Sequence, residues 1–181
     1  MKLQSTVKLF KYYKSLGDQC IDRLTFDELK FVPHPESNSM ALMIRHLRGN
    51  MLSRWTDFLT SDGEKEWRNR DSEFVEDYSS KEEIEQQWTE GWVCLFNALD
   101  TITPEHEKHI IYIRNEGHTI GEALERQLAH YAYHVGQMVF LAKLIKGDDW
   151  VSLSIPRNAS KEYNAAKFNS DKEEQHFTDN V

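Results

Sequence analysis

His130 and His134 lie four residues apart in Arg126-Gln-Leu-Ala-His-Tyr-Ala-Tyr-His-Val-Gly-Gln137. On a helix that is slightly more than one turn, so both imidazoles leave one face, one above the other. Such a pair can share a divalent metal, because the helix sets their separation before the ion arrives. His46 stands in a separate helical segment, Met40-Ala-Leu-Met-Ile-Arg-His-Leu-Arg-Gly-Asn50. If the two helices pack side by side, three neutral imidazoles form an open facial site, the arrangement of a catalytic metal rather than a structural one. The competing reading is plainer: one histidine buried with a hydrogen-bond partner and the other at the surface, since the spacing arises easily in a chain with 8 histidines. Context bears on the choice. Leu124, Leu128, Tyr131, Val135, Met138 and Ala142 make an apolar stripe, and Gln127, His130, His134, Gln137 and Leu141 run beside it. The histidines therefore border the buried face, where polar groups need partners.

A zinc ion on three imidazoles would lower the pKa of a bound water or thiol to about 7. No glutamate follows His130, so the H-E-x-x-H pattern is absent and this helix supplies no general base. The base must come from elsewhere or not be needed. Asn50, one turn beyond His46, and Gln127 and Gln137, three residues before and after the pair, could each accept an imidazole N–H and set its tautomer, or simply satisfy one another or solvent. Tyr131 faces the core. Arg157 reads as a surface ion pair or, folded over the helices, as a contact for an anionic cofactor. His34, His106, His109, His118 and His176 fall in loops or at element ends without a partner at ligand spacing. Cys20 and Cys94 read as buried free thiols, with no C-x-x-C and no activating neighbour in sequence.

Four long segments position these residues. The first helix is predicted over about Leu3 to Leu24, with a short turn at Phe26 to Phe31, stopped by Val32-Pro-His-Pro35. Ser37-Asn-Ser39 caps the second helix, predicted to reach about Leu59, with Met43, Leu47, Met51 and Trp55 on its apolar face. Residues 61–72 lack a period and read as a long loop in which Trp67 packs over something; such loops are often functional. Ser80 and Glu83 form a capping box that starts the third helix, which runs to about Leu99. A short β-hairpin over His109 to Ile120 turns at Asn-Glu-Gly, and the Thr119/Glu122 box opens the fourth helix, which ends near Gly147. The fold class is all-α: a four-helix bundle with a short hairpin or extended segment before the last long helix. One domain over residues 1–164 and a flexible tail over 165–181 follow.

The chain has 181 residues, 39% hydrophobic and 29% charged, with a net charge of −8. That is enough for a core without disulfides. No basic stripe is present, so no nucleic-acid partner is expected; Arg45 and Arg48 pair with acidic neighbours or steer an anionic substrate. No apolar run approaches the ~18 residues of a membrane span, and lysines interrupt any signal-peptide core at the N-terminus, so a cytoplasmic protein is expected. The broad apolar faces of the second and third helices suggest a homodimer.

His46 on the second helix and His130-Tyr-Ala-Tyr-His134-Val-Gly136-Gln137 on the fourth resemble the DinB-like superfamily of bacterial four-helix-bundle metalloenzymes. Ser37 to Asn50 resembles the stretch presenting that superfamily's first ligand, and Leu153-Ser-Ile-Pro-Arg157 resembles one of its uncharacterised branches. The resemblance covers residues from about 5 to 164. It implies a divalent metal, zinc or nickel, on His46, His130 and His134, and a small-molecule substrate. Relatives are thiol-dependent transferases and isomerases that use low-molecular-weight thiols such as bacillithiol. A metal-dependent hydrolase and a non-catalytic metal-binding or interaction bundle stay open beside that reading.

Overall fold

The structure is a computed structural model that describes residues 3–179. It is predominantly helical with one two-stranded sheet. Its elements are α1 (Leu3–Arg23), α2 (Phe26–Leu29), α3 (Met40–Trp55), α4 (Lys81–Asp100), β1 (Ile110–Ile113), β2 (Glu116–Thr119), α5 (Ile120–Lys146) and α6 (Ser160–Phe168), with short 3-10 turns between. The second, third and fourth long helices of the sequence reading are α3, α4 and α5.

The long helices pack as two pairs, α3 with α4 and α1 with α5, joined by contacts of α3 with α5 and of α1 with α4 around one core. Aromatic rings fill its centre. Trp92 is fully buried, with Phe10, Trp88, Phe96 and Tyr131 around it at centroid distances of 5.4–6.4 Å. The stripe read on α5 faces this core: Leu124, Tyr131, Val135, Met138 and Ala142 are buried and Leu128 is half-buried. The apolar faces of α3 and α4 that suggested a homodimer are turned towards each other and the core.

Local chemistry sets the ends. Ser39 caps α3 through the Leu42 N–H at 3.2 Å, and Thr119 with Glu122 forms the full capping box expected on α5. The Ser80 box is only half made: Ser80 accepts from the Glu83 N–H, while the Glu83 carboxylate turns to Ser79. α3 stops at Trp55, short of Leu59, because Thr56 is extended and Asp57 takes a positive φ of 48°. The hairpin turns one residue earlier than predicted. Its two central residues are Arg114 and Asn115, with φ of 56° and 62°, as a type I′ turn requires. Asp62 clamps that turn from the 61–74 loop, its carboxylate accepting the Arg114 and Asn115 N–H groups at 2.8 Å each.

Within the segment read as a flexible tail, residues 176–179 meet α1, and 180–181 lie outside the described residues. Ser5 meets His176 at 3.1 Å, Lys8 pairs with Asp179, and Phe177 packs edge-on against Tyr12. Among the described residues, no helix is long and apolar enough to cross a membrane.

Candidate metal centre

α3 and α5 run side by side, and their packing brings His46 to His130 and His134. One ring nitrogen of each lies within 4.8 Å of the others, a group that could hold a metal ion. His46 Nε2 and His130 Nε2 are 3.4 Å apart. Metal–nitrogen bonds of roughly 2.0–2.1 Å in a tetrahedral shell would place two ligand nitrogens about 3.3–3.4 Å apart, so this pair already has the spacing of a tetrahedron's edge. A pair at the 4.8 Å limit would close by about 1.4 Å, a modest rotation of a half-buried ring. The three rings meet edge to face, at centroid distances of 4.8–5.5 Å.

Burial keeps two of these rings neutral. His130 is pushed down to about 3, first by desolvation and then by His134, His46, Arg54 and Arg68. His134 is pushed down to about 4 by desolvation and His46, against the opposing bond to Gln137. Uncharged imidazoles are the form that binds a cation.

The outer nitrogens decide where the inner lone pairs point. His46 Nδ1 lies 2.8 Å from Glu73 Oε2. Glu73 is buried; desolvation alone would raise its pKa, but hydrogen bonds from His46 and Arg68 outweigh that and hold it below the usual carboxylate range. It is therefore an acceptor, His46 Nδ1 donates, and Nε2 is left bare towards His130. His134 Nδ1 donates to Gln137 Oε1 at 3.0 Å, which leaves its Nε2 bare in the same way.

Glu73 reaches His46 through a chain of ion pairs in the 61–74 loop. Arg68 grips its carboxylate with two bonds, at 2.8 and 3.1 Å, and both side chains are almost wholly buried. Glu64 in turn joins Arg68, Arg54 and Arg114, tying the loop to α3 and the hairpin. The Gly63 carbonyl takes the Ser53 hydroxyl at 2.7 Å and the Arg54 guanidinium, and its N–H donates to Tyr112 at 2.7 Å. Gly49 leaves room for the carboxylate against α3: a Cβ there would sit 2.2 Å from Glu73 Oε1. Phe74 stacks on the His46 ring at 5.5 Å, covering it from the solvent side.

Of the orienting residues expected from sequence, Gln137 does bond its histidine. Asn50 does not: its Oδ1 accepts from the Tyr131 hydroxyl at 3.1 Å, which itself accepts from Trp55 Nε1 at 3.0 Å, a buried polar chain that locks α5 against α3. Gln127 is buried, but its Oε1 has no hydrogen-bond partner among the described residues. Arg157 is exposed on the segment after α5 and is not brought to the histidines. Trp67, expected to pack, is 59% exposed. Arg45 and Arg48 pair with Asp77 and Glu90, as expected of them. Sequence reading passed over Glu73 and Arg68. The signal that pointed there was Gly49, an interior helix glycine three residues after His46 whose missing side chain makes space for a visitor.

The family described as a protein of unknown function, DUF1572, matches residues 2–159. The chain belongs to this family. The match takes in all three histidines, Glu73 and Gln137. No curated protein and no solved structure matches the chain.

Proposed function

We propose that this DUF1572 protein is a divalent-metal-dependent enzyme of the DinB-like type. In this reading its four long helices are that superfamily's four-helix bundle, and His46, His130 and His134 hold zinc or nickel. The observation that carries the reading is the pair of outer hydrogen bonds, His46 to Glu73 and His134 to Gln137. A ring whose Nδ1–H is tied to a fixed acceptor must present Nε2 as a lone pair; that of His46 lies 3.4 Å from His130 Nε2, and one ring nitrogen of His134 lies within 4.8 Å of the group. The fit is supported again by neutrality: His130 and His134 stay uncharged far below pH 7.

When bound, the ion supplies a Lewis acid that brings a coordinated water or thiol towards a pKa of about 7. The chain's own residues hold the tautomers, exclude water from the inner face of α5 and keep the rings from gaining protons. Among the described residues, the carboxylate bonded to a histidine of the group, Glu73, is engaged by His46 and Arg68 and is not free to act as base. That favours a nucleophile needing no protein base. We therefore place first the transfer of a low-molecular-weight thiol, such as bacillithiol, to an electrophilic small molecule, with metal-dependent hydrolysis second.

Elemental mass spectrometry on untagged protein tests the reading. Stoichiometric zinc or nickel, lost in His134→Ala while the helical content is kept, is the expected result. A wild-type chain that takes up neither ion from solution overturns it.

A further inference from the structure

We propose that a cleft between the start of α3 and the outer half of α5 receives the apolar part of an uncharged small-molecule substrate, whose reacting end faces the histidines. The orientation of the reacting end towards the histidines rests on the metal reading; occupancy of the cleft does not. The cleft has a volume of about 450 Å³, within the usual range for small-molecule sites.

Its walls join it to the centre. Gln137 lines the cleft and also holds His134 through its amide oxygen. Tyr133, another wall residue, lies with its ring 5.0 Å from that of His134. Met43 lines the cleft one turn before His46 on α3. A molecule seated there thus meets the residue that orients His134, a ring packed beside that histidine, and a residue one turn from His46.

The chemistry of the walls selects the ligand. Tyr133, Phe140 and Leu144 fall with Gln137 at steps of four, three and four along α5, forming a second apolar stripe away from the core. They are 62%, 69% and 55% exposed. An amphipathic helix needs one apolar face for its core; a second one left in solvent marks a binding surface. Among the described lining residues only Glu36 is charged. In a chain of net charge −8 that disfavours anions and suits a neutral, apolar group. Met43 adds a side chain that adapts to varied shapes.

The test has two arms, both on the full chain. In the first, metal-free protein is titrated with the neutral fluorophore N-phenyl-1-naphthylamine. Saturable one-to-one binding is expected, weakened at least about tenfold by Phe140→Asp, and the anionic 8-anilinonaphthalene-1-sulfonate should bind more weakly. Both the substituted position and Leu144, a second site for the same change, are exposed, so folding is preserved. Absent binding, or binding unchanged in both variants, overturns the proposal. So does a wild-type dimer that Phe140→Asp splits into monomers by light scattering without probe uptake, since the face then pairs two copies. In the second arm, cobalt(II)-loaded protein is titrated with N-alkylimidazoles from ethyl to hexyl while the cobalt absorption is followed. Affinity should rise about threefold to fourfold per methylene; a flat series overturns the link between cleft and metal. Failure to take up cobalt sinks the metal reading alone, and the naphthylamine arm then decides the cleft.

Discussion

Replacing Gly49 with alanine opposes two effects of known size. In an ordinary helix interior, Gly→Ala stabilises by about 1 kcal/mol, because glycine loses more backbone freedom on folding. Here the new Cβ would lie 2.2 Å from Glu73 Oε1 and 2.7 Å from its Cδ. The carboxylate must withdraw by more than about 1 Å to regain ordinary contact. Its bonds to His46 and Arg68, now 2.8–3.1 Å, would then exceed hydrogen-bond length. Each bond to a charged group is worth about 1.5–3 kcal/mol, so partial loss of the set outweighs the helical gain, and a net destabilisation of about 1–3 kcal/mol is expected. Urea unfolding followed by circular dichroism measures this. With His46 no longer held in one tautomer, zinc affinity in competition with a chelator should fall about 10- to 100-fold. The decisive comparison is a cycle with Glu73→Ala. That change alone costs about 3–5 kcal/mol, since it strips the buried Arg68 guanidinium of its main partner. In its background Gly49→Ala has nothing to collide with and should stabilise by up to about 1 kcal/mol. The same sign in both backgrounds, or stabilisation with unchanged zinc affinity in the wild type, would refute the packing of Glu73 against Gly49.

Gln137→Leu removes the acceptor of His134 without touching a ligand, and should lower zinc affinity about 10- to 100-fold at unchanged helical content; an unaltered affinity would show the bond to be incidental. The metal-free protein should lose stability with acid in a defined window. His130 and His134 titrate near 6.5 when unfolded but near 3 and 4 when folded, so below pH 6.5 the unfolded chain takes up protons the folded chain refuses. Stability is therefore full above pH 6.5 and falls as pH drops towards 4, and His134→Ala should make that slope shallower in pH-dependent denaturation curves. Asp62→Ala should cost about 1–2 kcal/mol and speed amide exchange at Arg114 and Asn115, whose N–H groups it accepts; exchange as slow as before would show that the hairpin stands without the clamp. Burial pushes the Cys20 thiol up to about 12 and raises that of Cys94, so iodoacetamide should modify the native protein far more slowly than the unfolded chain.

The sequence by itself determined the helices and the histidine pair on α5. Apolar residues every three or four positions, with serine and threonine caps, set α1, α3, α4 and α5, because period and cap chemistry are local. His130 and His134 were legible as a pair for the same reason: one turn of helix sets their spacing. Ends depended on finer backbone choices. Nothing in the residue types of 56–59 says that Asp57 will take a positive φ and stop α3 at Trp55. Only the tertiary structure brought His46 to the pair, since the relation of α3 to α5 is a matter of packing across 84 residues. It also decided which neighbours orient the rings. Asn50 has the right spacing, yet the Tyr131 hydroxyl reaches it across the core and takes its carbonyl. Glu73 has no helical spacing to His46 at all; it comes from a loop held by Arg68, Glu64 and the hairpin. A helix writes its contacts into a period, whereas a loop reaches its target through long-range ion pairs and the space left by Gly49, and neither leaves a periodic trace.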